Sequence, residues 1–296
     1  MPNLYVNIPI CPSRCSYCSF ISHQEKHIKN LIPEYHKALV SEIQGLKSRF
    51  KACYIGGGTP SIFTAEQIDE LLAEIKKHSF ESAELTFEAG RADTLNKAKL
   101  DVLKKHGVSR ISINPQTFSN KTLEKIGRAH TAEQVIDIYN LAKSYGFIIN
   151  MDLIAGLPDE GQAELENSIK TAILLEPDNI TVHSLAVKRG SDIAVMAGKQ
   201  IEVSQSAPQI PIKMLQNAGY LPYYLYRLKY TAGGGENIGF AKLGTYCEYN
   251  IDTMEELAPV VAVGAGGISK KFEMVDGELK IIRSHNPKDI KTYIKR

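Results

Sequence analysis

Three of the five cysteines lie within eight residues, in the stretch CPSRCSYCSF, as Cys11, Cys15 and Cys18. In a reducing compartment, clustered thiols are metal ligands or redox groups more often than disulfides, and the odd cysteine count agrees with that. Thiolates at close range suit an iron–sulfur cluster or zinc. A [4Fe-4S] cluster held by three thiolates leaves one iron open, and an open iron can bind a further ligand.

Zinc is the main non-catalytic alternative. A structural zinc site normally has four protein ligands, and His23, five residues after Cys18, could complete a Cys3His set. The chain contains no second C-x2-C pair, which paired zinc knuckles would supply. Cys53 and Cys247 stand alone, and both are expected to be buried thiols.

The segment from residue 4 to about 185 alternates short apolar runs with longer amphipathic segments, which predicts strands connected by helices. The predicted strands are Leu4–Ile8, Ala52–Ile55, Glu84–Phe87, Arg110–Asn114, Ile148–Leu153 and Ile180–Ser184. Helices are predicted over 30–48, 64–78, 94–106, 131–145 and 161–175, two of them opening with capping boxes at Thr64 and Thr131. This order implies a parallel sheet of right-handed βαβ units, either doubly wound or an incomplete (β/α) barrel.

The pattern changes towards the C-terminus, which predicts a division into a domain of residues 1–189 and a smaller α+β region of residues 190–296 packed on it. The second region contains two glycine-rich runs, AGGGENIG and VGAGGIS. It also contains KKFEMVDGELKIIRS, which predicts a hairpin with Asp276-Gly277 at its turn.

Composition excludes several classes of protein. Hydrophobic residues make up 43% of the chain, enough for a large core, and the net charge of +2 gives no basic stripe for nucleic acid. The start, MPNLYVNIPI, lacks the charged segment and apolar run of a signal peptide, and no uncharged apolar stretch reaches membrane-spanning length. We therefore expect a soluble cytoplasmic protein without stable membrane insertion.

Conspicuous residues lie at or just after the carboxyl end of each predicted strand, where ligands bind in parallel α/β folds. In chain order they are the three cysteines, GGGTP at 56–60, Glu88, NPQT at 114–117, Asp152 and His183. The glycine run either admits a ligand close to the backbone or only makes a tight turn, and it lacks the Lys-Ser/Thr ending of a phosphate loop. Buried acids need partners, so together these residues predict one site for a ligand with amino and hydroxyl groups.

Several ordered motifs carry a family resemblance: YVNIP with Tyr5, the C-x3-C-x2-C loop, GGGTP, FEAGRAD, ISINPQTF, IGRAHT, MDLIAGLP and GAGGIS. Together they resemble the radical S-adenosylmethionine (SAM) enzymes. The chain is most similar to the oxygen-independent coproporphyrinogen III oxidase family, in its coproporphyrinogen dehydrogenase branch, to which haem chaperones are related. The resemblance covers nearly the whole chain. It implies an α/β fold, an incomplete parallel (β/α)6 TIM-like barrel with a smaller C-terminal α+β region.

The resemblance also implies cofactors and their ligands, although it assigns no catalytic residue. Cys11, Cys15 and Cys18 would ligate three irons of a [4Fe-4S] cluster, and the amino and carboxylate groups of SAM would chelate the fourth. The remaining SAM contacts would be Tyr5, Tyr17, Gly57, Gly58, Thr59, Glu88, Gln116, Arg128 and Asp152. Ala186 and Ile268 match positions that contact a second SAM in the oxidases.

The activity implied is radical oxidation of a tetrapyrrole. In the family, a 5'-deoxyadenosyl radical abstracts hydrogen from a propionate side chain of coproporphyrinogen III, which then loses carbon dioxide and becomes a vinyl group. A reductant such as flavodoxin or ferredoxin would supply electrons. Arg91, Arg189, Arg227 and Lys229 are candidate cations for the carboxylates, the alternative for each being an ordinary surface charge.

Two departures from the family pattern keep a second function open. The oxidases carry a fourth cysteine at the position of Phe20. The haem chaperones also lack that cysteine but carry a His-Asn-x-x-Tyr-Trp motif, whereas this chain has no Trp and offers only YRLKY at 226–230. The chain also begins at the first strand, where relatives are longer. A haem-binding chaperone or carrier is therefore the alternative to an oxidase.

Overall fold

The computed structural model describes residues 1–18, 20, 22–185, 209–227 and 236–296. Its strands are β1 (Asn3–Ile8), β2 (Ile10–Cys11), β3 (His23–Gln24), β4 (Phe50–Gly57), β5 (Ser79–Gly90), β6 (Arg110–Ile113), β7 (Ile148–Ala155), β8 (Asn179–Ser184), β9 (Leu221–Arg227), β10 (Glu236–Ala241), β11 (Val260–Val263), β12 (Ile268–Val275) and β13 (Glu278–His285). Within these residues, one eleven-stranded sheet has the order β13-β12-β11-β1-β4-β5-β6-β7-β8-β10-β9. The short strands β2 and β3 pair with each other.

The helices, numbered over the same residues, are α1 (Glu25–Ile28), α2 (Ile32–Gln44), α3 (Ala65–Lys77), α4 (Lys97–Lys105), α5 (Asn120–Lys125), α6 (Ala132–Lys143), α7 (Gln162–Leu175), α8 (Gln209–Asn217), α9 (Glu248–Met254) and α10 (Ile290–Ile294). The five predicted helices are confirmed as α2, α3, α4, α6 and α7. Both capping boxes form, at Thr64 with Gln67 and at Thr131 with Gln134. Helix α5 was not predicted, because six residues are too few to show a helical period.

The six predicted strands are confirmed as β1, β4, β5, β6, β7 and β8. They are neighbours in that order and all run parallel. They form the incomplete TIM-like barrel that the motifs implied. Strand β1 shows its two faces, since Leu4, Val6 and Ile8 are fully buried in the core shared with the helices, whereas Tyr5 and Asn7 face inward and are partly exposed.

The C-terminal strands extend the same sheet at both of its edges. Strand β11 pairs parallel with β1, and β10 pairs antiparallel with β8. The predicted hairpin is confirmed as β12 and β13, with positive φ angles of 54° at Asp276 and 81° at Gly277. Strand β11 was missed, because its four apolar residues run straight into the glycines of VGAGGIS. The predicted boundary at residue 189 lies outside the described residues.

The segment Thr245–Cys247, which we call the lower plug, is bonded to strand residues at the amino-terminal end of the barrel. Arg110, the first residue of β6, donates a 3.0 Å hydrogen bond to the Thr245 carbonyl, and Asn179, the first residue of β8, donates one of 2.9 Å. The Cys247 thiol lies 3.3 Å from a carboxylate oxygen of Glu84 on β5. The expectation that Cys53 and Cys247 are buried thiols is confirmed.

Candidate functional site

The cysteine loop, residues 11–18, leaves β2 at the carboxyl-terminal edge of the sheet. Cys15 is buried, Cys11 and Cys18 are partly buried, and the Cys18 amide donates a 3.0 Å hydrogen bond to the Cys15 carbonyl. Burial raises the pKa of the Cys11 and Cys18 thiols, and the nearby Cys15 thiol adds to both shifts. The structure therefore brings all three thiols within electrostatic range of one another.

The donor set of this loop fits an iron–sulfur cluster in chemistry. Three thiols are soft ligands, and a Cβ atom at Gly58 would come within 2.9 Å of the Cys11 sulfur, so the glycine leaves space beside it. Across the described residues, no three side chains of Cys, His, Asp or Glu already stand in metal-coordinating geometry. His23, the fourth ligand of the zinc alternative, pairs through its backbone with Ile10 in the β2–β3 ladder.

The GGGTP run is hydrogen-bonded through its backbone to β1 and β2, the strands that lead into the cysteine loop. The Gly58 amide donates to the Ile8 carbonyl and the Thr59 amide to the Ile10 carbonyl, both at 2.8 Å. Gly57 has a φ of +115°, where a Cβ atom would lie 2.9 Å from the Ile8 amide nitrogen. The buried Thr59 side chain also forms a hydrogen bond with the Cys11 thiol. This turn therefore needs its glycines for steric reasons as well as for any ligand.

Glu88 on β5, Asp152 on β7 and His183 on β8 meet on the inner face of the barrel. The Asp152 carboxylate lies 3.8 Å from the His183 ring and accepts a 2.8 Å hydrogen bond from Asn150. Burial opposes ionisation of both Asp152 and His183, but their mutual attraction outweighs it, so the pKa of Asp152 is lowered and the pKa of His183 is raised. Each side chain therefore favours the charged form of the other.

Glu88 behaves differently from Asp152. Burial, with a smaller contribution from the Asp152 charge, raises its pKa to about 8. A Cβ atom at residue 56 would lie 2.6 Å from the Glu88 carboxyl, so only Gly56 leaves room for this side chain. At neutral pH, Glu88 is a protonated acid that can donate a hydrogen bond, beside a carboxylate that can accept one.

This protonation gives a testable pH dependence in the cofactor-free protein. Between pH about 4.5 and 8 the folded chain keeps a proton that the unfolded chain has released, so the free energy of unfolding falls as pH rises through that window. Glu88→Gln should remove this fall and stabilise the protein at alkaline pH by roughly 1–3 kcal/mol. Urea unfolding at acidic and alkaline pH measures it, with Glu81→Gln on the exposed part of β5 as the control. Equal pH slopes for wild type and Glu88→Gln would contradict the assignment.

Arg128, Gln116 and Tyr17 complete this edge of the barrel. The Arg128 guanidinium donates a 2.8 Å hydrogen bond to the Tyr17 hydroxyl and a 3.3 Å bond to the Gly90 carbonyl, while its buried Nε finds no partner among the described residues. Gln116 is buried and adopts a φ of +69°. Its backbone amide donates a 2.9 Å hydrogen bond to the backbone carbonyl of Asp152. A buried donor without a partner is expected to bind a ligand or water.

Tyr5 belongs to an aromatic floor beneath these polar groups. Its ring stacks on Tyr54 at 6.1 Å between centroids, and Tyr54 packs against Tyr249 at 4.9 Å. Sequence reasoning missed Tyr54 and Tyr249. The signal for Tyr54 was available, since it precedes Gly56 by two residues on a predicted strand and must share the inward face.

Comparison with known families decides where the chain belongs. A family model described as the radical SAM superfamily matches residues 5–172. The chain belongs to the radical SAM superfamily. Radical SAM proteins of this family use a [4Fe-4S] cluster and SAM as cofactors.

Two curated relatives and two solved structures are similar to this radical SAM protein. The oxygen-independent coproporphyrinogen-III oxidase-like protein HemZ of Bacillus subtilis is 39% identical over 99% of this chain and 61% of its own length. The heme chaperone HemW of Haemophilus influenzae is 32% identical over 90% of this chain and 70% of its own. The chain thus spans less than two thirds of the HemZ relative.

Among solved structures, coproporphyrinogen III oxidase HemN of Escherichia coli superposes with a TM-score of 0.77 at 23% identity, over 99% of this chain and 68% of its own. Methylornithine synthase PylB gives 0.52 at 14% identity, over 74% of this chain and 63% of its own. Both likenesses concern the fold alone. No helix in the described part of the chain has the length and apolarity to cross a bilayer.

The remaining predicted residues of this radical SAM protein are placed as follows. Ile268 begins β12, is 44% exposed, and follows the glycine loop at the end of β11. Ala186, Arg189 and Lys229 lie outside the described residues, as does the Arg227 side chain. The expectation for Arg91 is corrected, because its guanidinium is buried and holds both oxygens of Asp93 at 2.9 Å, which leaves it unavailable to a substrate carboxylate.

Proposed function

We propose that this protein is a radical SAM oxidoreductase that converts propionate side chains of coproporphyrinogen III to vinyl groups without oxygen, a step of haem biosynthesis. The observation that carries the proposal is the 39% identity with HemZ, named as coproporphyrinogen-III oxidase-like, over 99% of this chain. The convergence of the cysteine loop, the glycine turn and the inner acids at one edge of the barrel supports it.

In this proposal Cys11, Cys15 and Cys18 hold the cluster. When bound, the cluster supplies one electron to SAM, whose cleavage gives the 5'-deoxyadenosyl radical that takes a hydrogen atom from the substrate. Gly57 and Gly58 let the backbone approach the methionyl part of SAM, and the unpartnered Arg128 Nε is a donor for a ligand acceptor.

The inner acids orient the rest of the ligand. Asp152, ionised by its pairing with His183, accepts hydrogen bonds from amino or hydroxyl groups, and protonated Glu88 donates to a lone pair. The backbone of Gln116 is hydrogen-bonded to that of Asp152 on β7, and its side chain contributes an amide group. The floor that includes Tyr5 excludes water from beneath the reacting atoms. Ala186 and Ile268 remain predictions for a second SAM.

The partners follow from this chemistry. We propose a porphyrinogen or haem-type tetrapyrrole as ligand, a flavodoxin or ferredoxin as electron donor, and a cytoplasmic location. The division into residues 1–189 for the radical SAM barrel and 190–296 for a C-terminal region remains part of the proposal.

A haem chaperone is the second candidate, and a specific feature favours it. Phe20 stands where the oxidases have a fourth cysteine, and its ring is 75% exposed beside the cysteine loop, where it offers an apolar surface to a planar macrocycle. A relative named heme chaperone HemW matches 90% of this chain. In this function, the protein would bind haem without decarboxylating a propionate.

The deciding experiment is an anaerobic assay of reconstituted protein with SAM, dithionite and coproporphyrinogen III. We expect 5'-deoxyadenosine together with decarboxylated, vinyl-bearing product, and neither from Cys18→Ala. Deoxyadenosine without any change in the mass of the porphyrinogen would reject the oxidase function. A Soret band that shifts on addition of haem in that case would support the chaperone.

A further inference from the structure

The cysteine loop has little internal structure and is fixed mainly from outside. Its bonds to the rest of the chain include the Ser16 amide to the Ile126 carbonyl at 3.0 Å and the Ser13 hydroxyl to the Gly127 carbonyl at 3.0 Å. A Cβ atom at Gly127 would lie 3.1 Å from the Arg14 carbonyl, so the two loops are in close contact. The loop that follows α5 is therefore the surface on which the cysteine loop rests.

Ser13 is the junction of these contacts. Its hydroxyl donates its proton to the Gly127 carbonyl and accepts a 2.8 Å hydrogen bond from Nη1 of Arg91. Arg91 follows β5. The Ser13 side chain, which belongs to the cysteine loop, therefore connects that loop both to the end of β5 and to the loop after α5. An alanine at residue 13 would break both bonds at once, although it would remove only one partly exposed oxygen.

Arg91 itself is held in one orientation. Its Nε and Nη2 each donate to a different oxygen of Asp93 at 2.9 Å, and the buried His130 ring lies 3.4 Å from the same carboxylate. Only Nη1 then points to Ser13. A lysine at this position would keep the charge but could not hold Asp93 and Ser13 together, because it lacks the planar fork.

We propose that Arg91, locked by Asp93 and His130, is a positioning residue that fixes the cysteine loop through Ser13 and thereby sets how firmly the cluster is retained and at what potential it is reduced. The proposal rests on the proposed function only in assuming that the loop binds a cluster. Outer-shell partners of metal ligands typically contribute about 10–100-fold to metal affinity. Because Arg91 is paired with Asp93, its effect comes from geometry more than from net charge.

The test compares cluster loss in the reconstituted full-length protein. Arg91→Lys, Ser13→Ala and the double variant are treated anaerobically with a chelator, and the decay of cluster absorbance is followed. We expect Arg91→Lys to lose its cluster about tenfold faster than wild type, and Ser13→Ala to lose it at least as fast, because it also breaks the bond to the Gly127 carbonyl. The double variant should lose its cluster no faster than Ser13→Ala, since the bond between the two side chains is already absent there. The redox midpoint and the spectrum of the reduced cluster should shift in both single variants. Arg49→Gln, at an exposed arginine that bonds the Ser79 carbonyl, is the matched control.

A second measurement needs no cluster. Amide hydrogen exchange of residues 13–18 in the cofactor-free protein should be faster in Ser13→Ala than in wild type, while the melting temperature stays the same. Wild-type rates of exchange and of cluster loss in Ser13→Ala and Arg91→Lys would overturn the proposal. Failure of the proposed function is separate, because it would appear as wild-type protein that holds about four irons but forms no 5'-deoxyadenosine.

Discussion

Replacing Cys11, Cys15 or Cys18 singly by alanine is expected to abolish formation of 5'-deoxyadenosine. Each thiol is proposed to be a direct ligand, so the loss should exceed the about 10–100-fold that outer-shell changes cause. The fold should survive, because the loop contributes little to the core and two of the three thiols are partly exposed. Iron content after anaerobic reconstitution and deoxyadenosine released per chain are the two measurements.

Cys53→Ala is the matched control for the cysteine prediction. Cys53 is fully buried on β4. Its thiol lies 3.4 Å from the Ser79 hydroxyl, which is not part of the cysteine loop. This variant should lower the free energy of unfolding by about 1 kcal/mol, yet retain its iron. If Cys53→Ala lost as much iron as Cys18→Ala, the assignment of the ligands to the loop would be wrong.

Gly58→Ala is expected to have the second largest effect. The new Cβ atom would lie 2.7 Å from the Ile10 carbonyl oxygen, 2.8 Å from the Ile10 nitrogen and 2.9 Å from the Cys11 sulfur. Two of these atoms belong to backbone that cannot rotate away, so β2 must shift and take Cys11 with it. We expect destabilisation of about 1–3 kcal/mol and loss of most reconstituted iron.

Gly45→Ala provides the comparison at a glycine without such contacts. Gly45 follows α2 with a φ of −75°, and the closest atom to its added Cβ is a carbonyl oxygen at 3.5 Å. This substitution should leave the melting temperature and iron content close to wild type. A Gly58→Ala protein that reconstituted as fully as Gly45→Ala would show that β2 and the glycine turn are not in close contact.

The sequence predicted the barrel well because periodicity and caps are local signals. Five helices and six parallel strands followed from residue spacing alone, and the inward alternation on β1 follows from the same pattern. The place of β11 in the sheet could not be predicted either, because strand pairing is not local. Its partner β1 is about 250 residues away in the chain, and nothing in VVAV indicates which strand it joins.

The sequence predicted which residues form the candidate site, but not the buried pairings that hold the site in place. Placing chemical groups at the carboxyl ends of strands was enough to bring Glu88 and Asp152 together. The same reasoning could not show that Arg91 forms an ion pair with Asp93. That pairing is buried, and it joins two residues of an irregular segment whose conformation the sequence does not indicate. An arginine in sequence looks equally available to a substrate, a surface or a structural carboxylate.

The lower plug has a consequence for the order of events during turnover. Thr245–Cys247 is hydrogen-bonded to the first residues of β6 and β8, so we infer that a ligand of the inner acids enters from the cysteine end. Under the proposed function, SAM and the tetrapyrrole would share this entrance, and the ligand bound against Glu88 and Asp152 would bind first and leave last. We therefore expect ordered steady-state kinetics, in which the product of the outer ligand competes with that ligand.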